Sequence, residues 1–456
     1  MIEKDVLKGR RISVIGAGVS GSALAELAVK LGADVFVSDA RELKPETAEI
    51  FKKLGIAWEE SGNTERLLDA DEIVVSSGIS PENPMLVKAA ERGLTVTGEL
   101  DFVHPYLDGT IIAVTGSNGK TTTTSMIGHF LEKCGFAVLT GGNIGNAVAR
   151  AADGVYDFIV LELSSFQLHW VKTFRCDIAI VTNLAPDHIN WHGSYENYVA
   201  AKANLFKCLY EGGSAIYQKR DESALKPTVE MRFPLSWGEP DKHERGIYMD
   251  DGGKAAFING GSCAMLRRLF NFSDVHLLGT HNLENTAMSM AIIALFNITN
   301  CPKDMISSYV PPKHRCAFAG KVKNVTFVDD SKGTNVAATV TAMSALPGPK
   351  VIILGGQGKG EEYGPLAEAA KKYTKFAVLL GSEKEKIEAA LNEAGYTAYK
   401  LTNTMEEAVS EAYAAAEEGD TVLLSPACTS WDMYPSYNAR GDHFCEIAKE
   451  IIARES

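Results

Sequence analysis

The stretch Thr110-Ile-Ile-Ala-Val-Thr-Gly-Ser-Asn-Gly-Lys-Thr121 predicts the architecture of the chain around it. Its first half is an apolar run bounded by threonines, which is typical of a buried β-strand. Glycines follow at Gly116 and Gly119, and a helical pattern then continues as far as Cys134. A strand that passes through a glycine-rich loop into a helix is a unit of parallel α/β sheets, so we expect an α/β protein.

The loop Gly116-Ser-Asn-Gly-Lys-Thr121 has the chemistry of a phosphate-binding loop. Glycines allow backbone N–H groups to point at phosphate oxygens, and the start of the following helix adds partial positive charge. The Lys120 ammonium would neutralise the β- and γ-phosphates of a nucleotide, and the Thr121 hydroxyl would bind Mg²⁺. The two glycines are separated by only two residues, fewer than in the common form of this loop. The alternative interpretation is a tight turn without a ligand.

Short apolar runs alternate with helical patterns in three successive stretches, so we predict three α/β domains. Their expected bounds are residues 1–107, 108–312 and 313–456, with Pro311-Pro312 as a linker. We expect the two outer domains to be Rossmann-like and the central domain to carry the phosphate loop. Over residues 214–261 the pattern is irregular, which we interpret as hairpins added to the central domain.

The composition argues against several classes of protein. A net charge of −13 over 456 residues disfavours a nucleic-acid-binding protein, which needs a basic face. No apolar run approaches the roughly 18 residues of a membrane span, and the charged N-terminus does not resemble a signal peptide. The eight cysteines form no Cys-x-x-Cys pair, which indicates reduced and mostly buried thiols. We therefore expect a cytoplasmic protein without nucleic-acid or membrane partners.

A second glycine-rich loop, Gly16-Ala-Gly-Val-Ser-Gly21, follows the apolar run Ile12-Ser-Val-Ile15. Asp39 ends the next predicted strand 18 residues after Gly21, which is close to the spacing of a dinucleotide-binding fingerprint. The same geometry binds any diphosphate at a helix N-terminus, so an NAD-dependent oxidoreductase stays open as an alternative. Two such loops fit better with one loop for ATP and one for a nucleotide-linked substrate.

Polar side chains with the chemistry of metal ligands come after the phosphate loop. Glu162 ends an apolar run, where a carboxylate close to phosphates is well placed to bind Mg²⁺. His188 and His192 have a four-residue spacing that occurs at zinc sites, but the glutamate of the metalloprotease motif is absent. Lys202 lies in a helical pattern, and its position alone predicts a solvent-exposed side chain.

Together with the phosphate loop, three further stretches resemble the Mur ligase family, and the similarity spans all three predicted domains. They are Leu161-Glu-Leu-Ser-Ser-Phe-Gln-Leu168, Asp330-Ser-Lys-Gly-Thr-Asn335 and Leu424-Ser-Pro-Ala-Cys-Thr-Ser-Trp-Asp432. The family builds the peptide stem of peptidoglycan, and these stretches resemble the members that add D-glutamate to UDP-N-acetylmuramoyl-L-alanine. The resemblance implies an ATP-dependent amide ligase that works through an acyl phosphate, and we expect it to be a monomer. The alternatives are a Mur-type ligase with another acceptor amino acid and a regulator that has lost ligation.

For ATP and its metal ions, the resemblance implies residues in the second and third domains. Glu162 would bind one Mg²⁺ together with Thr121. His188 and Lys202 would serve a second Mg²⁺, with Lys202 carbamylated. The candidate catalytic residues are Lys120, Lys202, Lys332 and His188. The candidate ATP-binding residues are Gly116, Ser117, Asn118, Gly119, Lys120, Thr121, Thr122, His281, Asn282, Asn285, Arg315 and Asp330.

For the nucleotide-linked substrate and D-glutamate, the resemblance implies positions that mostly follow predicted strands. Asp39 would contact the uracil, and Lys359 would hold a carboxylate of D-glutamate. The candidate substrate-binding residues are Gly16, Gly18, Ser20, Asp39, Ser76, Gly78, Asn143, Ser164, Thr334, Lys359, Ser430 and Tyr437. The chain departs from the family's usual residues at Ser77, Asn190, Gly333 and Gln357.

Overall fold

The structure is a computed structural model that describes residues 5–261, 266–277 and 279–455. Contacts divide the chain into two compact units. The first unit consists of the chain up to Leu184, Glu196–Asp274 and Asn285–Ser307; the second consists of Ala185–Tyr195, Val275–Glu284 and the chain from Ser308. No helix within the described ranges is long and apolar enough to cross a membrane.

The first sheet carries the loop that begins at Gly16. Its elements are β1 (Arg11–Ile15), α1 (Val19–Lys30), β2 (Asp34–Ser38), α2 (Pro45–Leu54), β3 (Ala57–Glu59), β4 (Glu72–Val75), α3 (Pro84–Glu91), β5 (Thr95–Gly98) and α4 (Glu99–Val103). The strands are parallel in the order β3-β2-β1-β4-β5. Because β1 lies between β2 and β4, the loops that follow these three strands meet at one edge of the sheet.

The second sheet carries the phosphate loop. Its strands are β6 (Thr110–Thr115), β7 (Val138–Gly142), β8 (Phe158–Glu162), β9 (Cys176–Val181), β10 (Leu209–Gln218), β11 (Met231–Trp237), β12 (Gly246–Asp250), β13 (Ala255–Asn259) and β14 (Arg267–Asn271). The helices of this part of the chain are α5 (Lys120–Lys133), α6 (Ser165–His169), α7 (Ile189–His192), α8 (Tyr195–Lys207), α9 (Glu222–Leu225) and α10 (Thr280–Leu295). The strand order is β14-β13-β12-β11-β10-β9-β6-β8-β7, so the ends of β8 and β9 flank the end of β6.

The interpretation of residues 214–261 as hairpins is wrong for most of this stretch. β10 pairs in parallel with β11, and β11 pairs in parallel with β12. The hairpin is formed by β12 and β13, joined through Asp251-Gly-Gly253. Ala215, Ile216 and Tyr217 of β10 are all buried, as in a strand covered on both faces. A continuous apolar run of this kind is typical of a parallel strand and was a signal against the hairpin interpretation.

The third sheet lies in the second unit. Its strands are β15 (Ala317–Val322), β16 (Val325–Asp329), β17 (Lys350–Gly355), β18 (Phe376–Leu380), β19 (Tyr399–Leu401) and β20 (Thr421–Leu424). Its helices are α11 (Val336–Ala345), α12 (Gly364–Tyr373), α13 (Lys384–Glu393), α14 (Met405–Ala415) and α15 (Tyr437–Glu455). The order is β15-β16-β20-β17-β18-β19, with only β15 antiparallel to its neighbour. The three sheets confirm the α/β class, and the exact domain bounds stay predictions.

One apolar core joins the first two sheets. It includes Leu24 and Leu27 of α1 and Ala151 of a short 3₁₀-helix, all at most 2% exposed. Each fully buried leucine of this kind contributes about 1.5–3 kcal/mol. This packing fixes α1, and with it the loop that begins at Gly16, within the first unit. The 3₁₀-helices are Glu65–Leu68, His104–Tyr106, Val148–Asp153, Lys219–Asp221 and Phe272–Asp274.

Candidate active site

The predicted phosphate loop connects β6 to α5, whose first residue is Lys120. Gly119 precedes the helix with a φ of 80°, and a Cβ atom there would lie 2.7 Å from Oδ1 of Asn285. Both constraints favour glycine at this position. Nζ of Lys120 donates hydrogen bonds to the carbonyl oxygens of Gly116 and Ser117, at 2.9 and 2.8 Å. The ammonium group is therefore held against the backbone of the loop, at the N-terminus of α5.

Lys202 of α8 shares an acceptor with Lys120. Its side chain is buried, with the residue 2% exposed, and its Nζ donates to the carbonyl oxygen of Gly116 at 2.7 Å. Nζ also lies 4.6 Å from the centroid of the Tyr198 ring, whose hydroxyl is 2.9 Å from Oγ of Ser117. The prediction from position alone, that Lys202 is solvent-exposed, is wrong. Two ammonium groups on one carbonyl oxygen concentrate positive charge at the phosphate loop, which favours an anionic ligand.

Glu162 is the last residue of β8 and lies opposite Val114 of β6 in the sheet. Its Oε1 accepts a hydrogen bond from Nδ2 of Asn143 at 3.1 Å, and the Asn143 backbone N–H donates to the Glu162 carbonyl oxygen at 2.8 Å. Oε2 is buried and has no hydrogen-bond partner among the described residues. A buried carboxylate oxygen needs a partner. A divalent cation would supply one, so this carboxylate fits the predicted metal site.

The residues that follow β9 hold the phosphate loop in shape, and the sequence patterns did not identify them. Oδ1 of Asn183 accepts a hydrogen bond from the backbone N–H of Asn118 at 3.0 Å, and its Nδ2 donates to the Asn118 carbonyl oxygen at 2.9 Å. The carbonyl oxygen of Asn183 accepts from the N–H of Ser117 at 2.9 Å. One feature of the sequence could have identified Asn183: the polar pair Thr182-Asn183 follows β9, a strand that neighbours β6.

The loop after β1 contacts the neighbouring strand end through Asp39. This carboxylate accepts hydrogen bonds from the backbone N–H groups of Ala17 and Arg41, at 2.6 and 2.8 Å. A Cβ atom at Gly21 of α1 would collide with the carbonyl oxygen of Gly16, so glycine allows the helix to approach the loop closely. The structure thus brings the candidate substrate residues Gly16 and Asp39 together at one edge of the first sheet.

A buried hydrogen-bond network connects the first sheet to the loop after β8. Glu99, the first residue of α4, is buried and accepts a hydrogen bond from Nε2 of Gln167 at 3.0 Å. Oε1 of Gln167 accepts from the backbone N–H and the hydroxyl of Ser164, at 2.9 and 3.1 Å. Burial raises the pKa of Glu99, and the hydrogen bond with Gln167 opposes that shift. The candidate substrate residue Ser164 is therefore linked through Gln167 to Glu99, which no sequence motif indicated. The Ser20 hydroxyl accepts a hydrogen bond from the Ser77 hydroxyl at 3.3 Å.

Other candidate residues of the first unit lie at the same edge of the first sheet or at the start of α5. Ser76 follows β4, and its backbone N–H donates to the carbonyl oxygen of Ile15 at 3.2 Å. Gly78 has a φ of 94°, and Gly18 precedes α1. Thr121 and Thr122 are buried in the first turn of α5.

In the second unit, Asp187 is the centre of a polar cluster. Its Oδ1 accepts a hydrogen bond from Nζ of Lys359, and its Oδ2 accepts from Nδ2 of Asn335, both at 3.3 Å. His188 has a left-handed φ of 54°, and its Nε2 lies 3.6 Å from Oδ2 of Asp187. Burial raises the pKa of the nearby Glu361 to about 7. The structure brings the candidates His188 and Lys359 together, and it adds Asn335 and Glu361, which were not predicted.

A second group of candidate residues follows β16 and β20. Burial raises the pKa of Asp330 to about 7, and its Oδ2 accepts a hydrogen bond from the Ser425 hydroxyl at 2.7 Å. Nζ of Lys332 lies 3.9 Å from the centroid of the Tyr437 ring. Arg440 of α15 is buried and donates hydrogen bonds to the residues of both loops. It holds these loops together and was not predicted.

The remaining candidates of the second unit have local contacts. The N–H of Thr334 donates to the carbonyl oxygen two residues earlier at 2.8 Å, and that of Asn282 to the carbonyl oxygen three residues earlier at 3.0 Å. Burial lowers the pKa of His281. Oγ of Ser430 is buried without a hydrogen-bond partner in the described part of the chain. The Arg315 charge favours the ionised form of Asp330. Their roles as ligands stay predictions.

Family models match three parts of the chain. The MurD N-terminal domain matches residues 11–85, the Mur ligase middle domain matches residues 114–293, and the Mur ligase, glutamate ligase domain matches residues 314–428. The first match contains the loop at Gly16, and the second contains the phosphate loop, Glu162 and Lys202.

Relatives match over the full length. The UDP-N-acetylmuramoylalanine–D-glutamate ligase of Christiangramia forsetii is 36% identical over 452 residues, which covers 97% of this chain and 100% of the relative. The ligase of the same name from Thermoanaerobacter pseudethanolicus is 34% identical over 458 residues, covering 98% and 99%. The solved structure of MurF ligase from Thermotoga maritima in complex with ADP has the same fold, with a TM-score of 0.59 at 17% identity and both chains covered in full. On this full-length similarity, the chain belongs to the Mur ligase family.

Proposed function

We propose that this chain joins D-glutamate to UDP-N-acetylmuramoyl-L-alanine at the expense of ATP, the reaction for which its full-length relatives are named. The amide bond forms between the L-alanine carboxyl group and the amine of D-glutamate. The observation that carries the proposal is the phosphate loop at the start of α5, where the Lys120 ammonium is held against the carbonyl oxygens of Gly116 and Ser117. We further propose that the protein acts as a monomer in the cytoplasm.

The first step activates the substrate. A carboxylate is a poor electrophile, so its oxygen attacks the γ-phosphorus of ATP, and the products are an acyl phosphate and ADP. Lys120 is held at the loop where the phosphates would lie, and it stabilises the negative charge of the transferred phosphoryl group. Lys332 is a further candidate for the same role.

Magnesium ions, when bound, neutralise charge on the phosphates and on the phosphoryl group in transfer. Thr121 and Glu162 would hold one ion, and the buried Oε2 of Glu162 supports this assignment. His188 and a carbamylated Lys202 would hold a second. Carbamylation converts the Lys202 ammonium into a carboxylate-like group. It would also remove the repulsion between two ammonium groups at one carbonyl oxygen, which is the observation in favour of the modification.

The second step forms the amide. The amine of D-glutamate attacks the acyl carbon, phosphate leaves from the tetrahedral intermediate, and the amine loses a proton. Lys359 is the candidate cation for a glutamate carboxylate, and its partly buried position beside Asp187 limits where it can reach. Thr334, Ser430 and Tyr437 are candidates for the remaining carboxylate contacts, and the buried Oγ of Ser430 supports its assignment.

The decisive experiment measures phosphate release from ATP in the presence of UDP-N-acetylmuramoyl-L-alanine. D-Glutamate, L-glutamate, L-lysine and diaminopimelate are compared as acceptors, and release is expected with D-glutamate alone. Release with a different acceptor would keep the ligase mechanism and overturn the assigned specificity. A lack of release with all four acceptors would contradict the proposal.

A further inference from the structure

Two cysteines from distant parts of the chain meet at the end of α5. Cys134 directly follows the last residue of α5, and Cys301 lies after α10. Their Sγ atoms are 2.7 Å apart, and Sδ of Met305 is 3.6 Å from Sγ of Cys134. Both cysteines are free and only partly buried. The expectation of mostly buried thiols is therefore wrong at this position, and none of the candidate site residues takes part in the contact.

We propose that Cys134 and Cys301 are a modification site that forms a reversible intramolecular disulfide. Hydrogen peroxide is the oxidant: it converts one thiol to a sulfenic acid with release of one water molecule. The second thiol attacks the sulfenic sulfur, the S–S bond forms, and a second water molecule leaves. A thiol reductant restores both cysteines by exchange.

The geometry selects this pair over the other cysteines of the second sheet. Cys176 and Cys208 also come close, since the Cys176 N–H donates to the Cys208 carbonyl oxygen at 2.8 Å. Both are at most 2% exposed, however, so a dissolved oxidant does not reach them. Burial and the adjacent Cys301 thiol raise the pKa of Cys134 to about 12. The reaction should therefore become faster as the pH rises, because the thiolate is the reactive form.

The disulfide between Cys134 and Cys301 would stabilise the part of the chain that carries the phosphate loop. α5 begins at Lys120, and Asn285 of α10 accepts a hydrogen bond from the Thr123 hydroxyl at 3.3 Å. A disulfide would join the end of α5 to the segment after α10. The two cysteines are 167 positions apart in sequence, so the bond restricts a long loop of the unfolded chain. Oxidation should therefore stabilise the folded protein.

The test uses the full-length, fully reduced protein, treated with hydrogen peroxide and then alkylated, digested and analysed by mass spectrometry. We expect a linked peptide that contains Cys134 and Cys301, and a loss of two of the eight thiols. The melting temperature should rise by about 2 °C or more and return after reduction with dithiothreitol.

The controls are single variants. Cys134→Ser and Cys301→Ser should each lose the linked peptide and the rise in melting temperature, and Cys176→Ser should keep both. Unlinked peptides in the oxidised folded protein, or a link to a different cysteine, would overturn the proposal. The readouts do not depend on ligase activity, so the test stands apart from the proposed function.

Discussion

At the scale of single residues, Lys202 illustrates how a tertiary acceptor overrides a helical pattern. Lys207 lies on the same helix, is exposed, and donates to Oδ1 of Asn204 at 2.9 Å. Lys202 is buried because its Nζ reaches the carbonyl oxygen of Gly116, 86 positions away in sequence. Helical periodicity carries no information about an acceptor that a distant loop supplies. Only the family resemblance pointed to a role for this lysine.

The variant Lys202→Ala is expected to lower turnover by about 100-fold or more, because a charged group at the proposed site of phosphoryl transfer is lost. The measurement is the rate of phosphate release with all substrates present. If the lysine is carbamylated, acetate or another short-chain carboxylate should restore part of the rate. Lys207→Ala on the same helix is the control. Near-normal turnover of Lys202→Ala would contradict the assigned role.

The Asp330 carboxyl makes the stability of the folded protein depend on pH. Burial raises its pKa from 3.8 to about 7 in the folded protein. A carboxyl group with a raised folded pKa stabilises the protein fully below its unfolded pKa, and this contribution is lost as the pH rises to the folded pKa. The contribution of Asp330 to stability should therefore fall between about pH 4 and pH 7, and the contribution of Glu361 has the same sign.

Of the two carboxyl groups whose pKa is raised to about 7, Asp330→Asn removes one and leaves Glu361 in place. The asparagine keeps a polar partner for Ser425. The difference in melting temperature between pH 5 and pH 7 should shrink by about 2 °C or more. Thermal unfolding monitored by circular dichroism checks this, with the exposed Asp69→Asn as the control. An Asp330→Asn protein with the wild-type pH dependence would show that this carboxyl does not titrate in the expected range.

At the scale of elements, the strand, loop and helix around the phosphate loop were predictable from sequence. β6 spans Thr110–Thr115 and α5 begins at Lys120, because a buried apolar run and a glycine loop are local signals. The parallel pairing of β10 with β11 was not predicted, because the glycine-rich turns that follow these strands indicated hairpins. The contact of Asp187 with Asn335 spans 148 positions and has no local signature either.

The close approach of α1 to the loop after β1 gives an element-scale prediction. Gly21→Ala places a Cβ atom against the carbonyl oxygen of Gly16, and a backbone collision cannot be relieved by a side-chain rotation. Overpacking of this kind costs about 1–3 kcal/mol. The melting temperature should therefore fall by several degrees, about 2–4 °C per kcal/mol.

Gly364→Ala is the matched control for Gly21→Ala. Gly364 is the first residue of α12, and open space surrounds its Cβ position. The Gly364→Ala protein should unfold at or above the wild-type temperature, because alanine has a higher helix propensity than glycine. Equal melting temperatures for the two variants would mean that α1 shifts freely and that the close approach does not stabilise the loop.

At the scale of the whole molecule, an acidic protein contains two loops built for anions. The net charge is −13, yet the N-termini of α1 and α5, together with Lys120 at the phosphate loop, produce local positive potential. Both loops belong to the first unit. We therefore expect local geometry, and not the total charge, to determine which ligands the protein binds. Two separate loops also predict two ligands that bind independently.

Ligand-induced stabilisation tests this independence. Mg²⁺-ADP and UDP-N-acetylmuramoyl-L-alanine should each raise the melting temperature, since a ligand at 100 times its Kd stabilises the folded state by about 2.7 kcal/mol. Lys120→Ala should lose most of the shift with Mg²⁺-ADP and keep the shift with the UDP-linked substrate. Lys133→Ala, at the other end of α5, should keep both. A shift with NADH and none with Mg²⁺-ADP would instead favour an oxidoreductase that uses the loop at Gly16 for its cofactor.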